Sequence, residues 1–176
     1  MSFLLIKIIF LILVASSTAQ NTTAKQQLPS LVLSYSDTSL HGLRRIESTT
    51  KKIPDHISSA TVSVRSGYGG GSGAIIREDG VILTAAHVAG VPDEELMVTL
   101  ADGKVVKARV LGCDHEKDIA LAVILDQGIY PHVERADTSI PGQWCLAMGH
   151  PGGLQPGRSA VLRVSMLTDD DLLDST

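Results

Sequence analysis

At 176 residues the chain has room for one domain of ordinary size, or one domain plus a fragment. Its formal net charge of −4, with no basic block, argues against nucleic acid as the main partner. Only six residues are aromatic, and both phenylalanines, Phe3 and Phe10, lie at the extreme N-terminus. A folded core must therefore come from Val, Ile, Leu and Ala, a composition that favours strands and turns.

Phe3–Ala15 is apolar apart from Lys7, and Ser17-Thr18-Ala19 follows with small residues. Thirteen residues are too few to span a bilayer comfortably, so residues 1–19 read as a signal peptide cleaved after Ala19. The mature protein is then expected to be secreted or periplasmic, with no stable membrane span. The next stretch, 20–52, is rich in Ser, Thr, Gln and Asn and reads as a linker or leader. The two cysteines, Cys113 and Cys145, leave three arrangements open: a bridge, two buried free thiols, or a partner outside the chain.

Order is expected from Ile53. Thr61–Arg65 alternates as a half-buried strand does. The glycines between Gly67 and Gly73 read as a loop whose backbone bends tightly or approaches another segment closely. Ala74–Arg77 and Val81–Thr84 form a hairpin around Asp79-Gly80, a pair in which both positions tolerate positive φ. His87 follows just past the strand end. Leu96–Leu100 and Lys104–Leu111 make a second hairpin around Asp102-Gly103. After Asp114-His115-Glu116-Lys117, the seven apolar residues from Ile119 to Leu125 suggest a strand buried on both faces.

Six short strands between Thr61 and Leu125, with no helix-period segment among them, suit a small barrel or sandwich. Gly128–Pro141 connects onward. Trp144–Met148 and Ser159–Val164 are further strand candidates, separated by the turn-forming cluster Gly149-His150-Pro151-Gly152-Gly153. Two strands do not make a second domain, so residues 142–176 read as a truncated start of one.

Two positions stand out chemically. Asp118 opens an apolar strand, so its carboxylate must find a donor. His87 ends a hairpin strand and is flanked by small residues. Taken alone, Asp118 reads as a turn or capping carboxylate and His87 as a hydrogen-bonded surface or semi-buried ring. Together, a carboxylate held against an imidazole would fix the ring's tautomer and stabilise the imidazolium that a general base becomes.

Thr84-Ala85-Ala86-His87 and Asp118-Ile119-Ala120-Leu121 resemble the histidine and aspartate motifs of trypsin-like serine proteases. The whole stretch Gly71–His87 resembles their HtrA/Deg-type branch. Ala147–Gly153 is similar to that branch's Gly-Asn-Pro segment, with His150 where Asn is usual. Val88 stands where disulfide-bonded digestive proteases carry Cys. The resemblance covers about Ile53 to Met166. It implies an all-β fold of two six-stranded antiparallel barrels, the first at 53–130, a connector at 131–141, and the opening strands of the second at 142–176.

The same resemblance implies His87 as general base and acid, Asp118 as its orienting carboxylate, and polypeptides or unfolded proteins as substrates, with no cofactor. The nucleophile belongs in a Gly-x-Ser-Gly-Gly turn of the second barrel, and the sequence contains no such turn. Ser72 lies between glycines but precedes the histidine, and Ser159 and Ser165 lack flanking glycines. The expected protein is therefore a serine endopeptidase whose present chain is an inactive fragment. The rival is a non-catalytic secreted binding module with a protease-like barrel. A metal site built from His87, His115, Asp118 and His150 is a third reading, disfavoured because no helix face or paired Cys motif forces those ligands together.

Overall fold

The computed structural model describes residues 40, 44, 47, 48, 54–135, 144–154 and 160–166. The signal-peptide reading lies outside the described residues. So does nearly all of the leader, of which Leu40, Arg44, Glu47 and Ser48 have helical backbone and are exposed. From residue 54 the order is α1 (Pro54–Ala60), β1 (Thr61–Ser66), β2 (Gly69–Ile75), β3 (Val81–Thr84), α2 (Ala86–Ala89), β4 (Glu95–Thr99), β5 (Val105–Asp114), β6 (Ile119–Ile124), β7 (Trp144–Gly149) and β8 (Val161–Met166).

Strands β1 to β6 close into a barrel in the order β1-β2-β3-β6-β5-β4, and every neighbouring pair is antiparallel. β7 and β8 form a separate two-stranded antiparallel sheet. The expected all-β fold with a six-stranded antiparallel barrel is observed, followed by a small two-stranded sheet. Closure removes the unpaired edges that an open six-stranded sheet would expose.

Side chains alternate across each barrel strand, and the inward set is aliphatic: Val62 and Val64 from β1, Ile75 from β2, Ile82 from β3, Leu96 and Val98 from β4, and Val106, Ala108 and Val110 from β5. Tyr130 is the one aromatic residue in this cluster. Its backbone N–H donates to the Glu78 carbonyl (2.9 Å), and that of Val133 donates to Ile75 (2.9 Å). The chain thus runs back along the barrel for several residues after β6. Burial first, and the negative charge of Asp126 second, raise the Tyr130 phenol above its ordinary 10.0.

A raised phenol favours the neutral ring in the folded state, so the folded chain binds more protons than the unfolded one above that value. Stability is expected to fall as pH climbs past about 10, the unshifted tyrosine value. Tyr130→Phe should flatten this alkaline limb, as read by urea midpoints across the alkaline range.

Both tight hairpins contain a four-residue turn that ends on glycine, and they differ by one residue in the flanking bond. In the first, the Gly80 N–H donates to the Arg77 carbonyl (3.1 Å) and the Ile76 N–H to Val81 (2.8 Å); in the second, Gly103 donates to Leu100 (2.9 Å) and Leu100 to Lys104 (2.9 Å). Both glycines have a φ of 87°. Asp79 and Asp102 are not among the positive-φ residues, so each Asp-Gly spans the end of a four-residue turn rather than supplying both left-handed positions. The hairpins were legible, but their turn type differs from the two-residue form expected.

Three other expectations are corrected. The glycine run is not a loop: Gly69–Ile75 is strand β2, with Val64 opposite Gly71 and Val62 opposite Gly73. Its backbone follows the ladder, and the missing side chains serve close approach instead. β6 is not buried on both faces, since Ile119 and Leu121 are 45% and 38% exposed. A closed barrel has one interior, and alternate residues of β6 point out of it. A short helix, α2, is also present where no helical segment was expected.

Candidate functional site

The α2 turn holds His87. Its neighbours Ala85, Ala86, Val88 and Ala89 are all buried and belong to the barrel core. A single helical turn thus plugs one end of the barrel, and small residues are needed because the opening is narrow. The turn is closed by the N–H groups of Ala89 and Gly90, which donate to Ala85 (3.0 Å) and Ala86 (2.9 Å). Ser66 Oγ donates to the Val88 carbonyl at 2.6 Å. Val88 lies directly over β2: a Cβ on Gly71 would stand 2.7 Å from Val88 Cγ2. The glycine of β2 lets the helix descend into the barrel mouth, leaving the His87 side chain 48% exposed.

Thr84 anchors the strand that leads into α2. Its hydroxyl is buried and donates to the Ser72 carbonyl at 3.0 Å. This extends the β2–β3 contact one step beyond the last paired residues.

Asp118 comes from the neighbouring strand at the same barrel end: it precedes β6, which pairs with β3 through Ala120 and Thr84. Asp114 pairs with Ile119 across β5 and β6, leaving residues 115–118 as a tight four-residue loop. Asp118 is its last residue and has a φ of 56°, a left-handed conformation that Asp and Asn tolerate better than most side chains. Asp118 Oδ1 accepts from the His87 backbone N–H at 3.0 Å. Nδ1 of the ring lies 2.8 Å from Oδ1 and 2.7 Å from Oδ2. One carboxylate therefore holds both the backbone and the ring of His87, and with Nδ1–H donating, Nε2 is left as the basic nitrogen.

The other residues considered from the sequence do not converge on this pair. His115 is exposed and sits 3.4 Å from Cys113 Sγ through its Nε2. His150 is 6% exposed at the end of β7. Among the described residues no group of three His, Cys, Asp or Glu side chains could hold a metal ion. Cys113 is partly buried, Cys145 is buried, and the two are not joined in a disulfide.

Ser72 links three segments. Its Oγ accepts from the His150 backbone N–H at 2.7 Å, while its carbonyl holds Thr84. A Cβ on Gly149 would stand 2.8 Å from that Oγ. Ser72 thus ties the β7–β8 sheet to the barrel through the strand next to the histidine. Nothing in its sequence context announces this link, because the partner is 78 residues away.

A shallow cleft lies at the far end of β3, between the Arg77–Asp79 turn and the His132–Arg135 segment. It contains neither His87 nor Asp118. No helix among the described residues is long and apolar enough to cross a membrane.

The family model for the trypsin-like peptidase domain matches residues 71–171, more than half of the chain. An Ectopseudomonas mendocina protein named "probable periplasmic serine endoprotease DegP-like" is 32% identical over 145 residues, covering 79% of this chain and 30% of its own length. A Halomonas elongata protein of the same name is 42% identical over 86 residues, covering 48% and 18%. The serine protease HTRA1 of Xenopus laevis is 39% identical over 87 residues, covering 48% and 19%. The chain therefore spans less than a third of the length of these relatives. The barrel, the imidazole–carboxylate pair at its mouth and these matches agree: the chain belongs to the trypsin-like serine proteases, in their HtrA branch.

Proposed function

We propose that this chain carries the histidine–aspartate half of a serine endopeptidase site that cleaves polypeptides. The carrying observation is the two-point hold of Asp118 on His87, through the backbone N–H at 3.0 Å and Nδ1 at 2.7 Å. An imidazole so held has its Nε2 free to take a hydroxyl proton and return it to a leaving amine. His87 is the general base and acid, and Asp118 orients it. The names of the bacterial relatives support a periplasmic or secreted site of action, as does the N-terminal sequence.

The nucleophile and the oxyanion-binding amides are supplied by a segment outside these 176 residues. In support, the sequence has no Gly-x-Ser-Gly-Gly turn, and Ser72 is engaged in holding β7. A base without a hydroxyl to activate performs no covalent step, so these residues alone are an inactive portion of the enzyme. The barrel is expected to end near residue 130, with 131–141 as connector and 142–176 opening the second barrel.

A serine-directed phosphonate tests this directly. The 176-residue chain should remain unlabelled by mass spectrometry, whereas a chain extended by the coding sequence that follows Thr176 should take up one equivalent. Labelling of the shorter chain would place the nucleophile among its own serines. An extended chain that stays unlabelled would favour a binding module that keeps a protease-like barrel.

A further inference from the structure

We propose that Asp114 is a positioning residue for His87, acting through Asp118. The proposal rests on the reading of His87 and Asp118 as a working pair. Asp114 touches neither the ring nor any reacting atom. Its Oδ1 accepts two backbone N–H groups of the loop it opens, Glu116 at 3.0 Å and Lys117 at 3.0 Å. Those two bonds fold the residues immediately before Asp118 back onto the end of β5.

Asp118 needs that support because of its own backbone. A φ of 56° is a conformation a non-glycine residue leaves readily when its neighbours allow it. The loop is only four residues long, since Asp114 pairs with Ile119 at its base. Fixing the amides of Glu116 and Lys117 leaves the chain one way to reach Ile119, and that way turns the Asp118 carboxylate toward α2. Side chains of Asp and Asn suit such turns because the carbonyl oxygen reaches an amide two residues on. The rest of the loop is exposed: His115, Glu116 and Lys117 point to solvent, so the loop has little packing to hold it in shape.

Charge and geometry can be separated by substitution. Asp114→Asn removes the negative charge but keeps the accepting oxygen. Asp114→Ala removes both, and Asp114→Ser keeps a weaker, shorter acceptor. The charges of Glu116 and Lys117, which share the loop, and of His115 beside Cys113 are the same in all three variants.

The readout is the tautomer of His87 in the full chain, taken from ring 15N shifts in alkaline solution where the imidazole is neutral. Asp118 should hold the parent ring as the Nδ1–H form. Asp114→Asn should keep the ratio of Nδ1–H to Nε2–H within about twofold of the parent. Asp114→Ser should fall between, and Asp114→Ala should lower the ratio roughly threefold or more, the scale of one or two lost hydrogen bonds. The order Asn, Ser, Ala carries the test, so the difference between Asn and Ser suffices if the alanine variant fails to fold.

Equal ratios in the Asn, Ser and Ala variants would overturn the proposal, as would a loss of the Nδ1–H form in Asp114→Asn as large as in Asp114→Ala. Asp118→Asn is the control. If it leaves the tautomer unchanged, the pairing of His87 with Asp118 fails, and the role of Asp114 with it. If it shifts the tautomer while the Asp114 variants do not, only the positioning role is lost.

Discussion

Asp118→Asn, in a chain extended to carry the nucleophile, is expected to lower kcat for peptide hydrolysis about 10⁴-fold, the cost of the same change in a serine protease triad. The substitution is well suited to isolate the chemistry. Asn tolerates the left-handed backbone of Asp118 (φ 56°) as Asp does, and the amide oxygen can still accept from the His87 N–H. What changes is the face toward Nδ1, where an amide NH2 now competes for the position. The ring then turns its proton to Nε2, and the nitrogen that should take a hydroxyl proton is already occupied. His87→Ala removes the base altogether and should cost at least as much, by about two further orders in the comparable protease case.

Both variants should retain the parent's strand signal and melt near it, because the His87 side chain is 48% exposed and that of Asp118 is 30% exposed. Their mutual bond is therefore screened by solvent and contributes little to stability. Single-turnover hydrolysis of a peptide substrate, normalised to the amount of folded protein, separates a catalytic role from a structural one. Variants that bind phosphonate slowly and turn over at parental rates would remove His87 and Asp118 from the mechanism. Variants that lose turnover and also lose fold would show that the pair is structural.

What the sequence makes legible depends on where the information resides. Alternation within a strand is local, so all six barrel strands can be placed from the sequence, and only the glycine-rich first part of β2 reads as a loop, because glycines carry no hydropathy signal. The pairing of His87 with Asp118 spans 31 residues and became readable only through the resemblance of both flanking motifs. Asp118's own neighbours, Asp114 above all, gave no comparable signal, because a turn-capping carboxylate and a solvent-facing one have the same letter. β6 misled for a related reason: an apolar run records what its side chains could bury, not how many sides of the strand are covered. Its outward residues, Ile119 and Leu121, are apolar and still half exposed.

Gly73 is where that silence of glycine can be tested most sharply. Its φ is not in the left-handed region, and β2 is a regular strand there, so alanine should by propensity be tolerated or even favoured. Space says otherwise. A Cβ at Gly73 would lie 2.8 Å from Ile82 Cγ2, 3.1 Å from the Leu83 carbonyl oxygen and 3.1 Å from Val64 Cγ2. Ile82 and Val64 are 0% and 1% exposed, so neither has anywhere to go, and the carbonyl belongs to the strand β3 that leads into His87. Gly73→Ala is expected to cost about 1–3 kcal/mol, the range for overpacking a close-fitted interior. Gly112, at the β5 bulge, also has an ordinary φ, but a Cβ there would meet nothing within 4 Å. Gly112→Ala should stay near neutral or stabilise by up to about 1 kcal/mol, through the lower entropy of the unfolded chain. Urea denaturation of the two variants beside the parent gives the comparison. Equal midpoints for the two would mean that Ile82 and Leu83 can move aside, and that the glycines of β2 are not there to bring β3 and its histidine close.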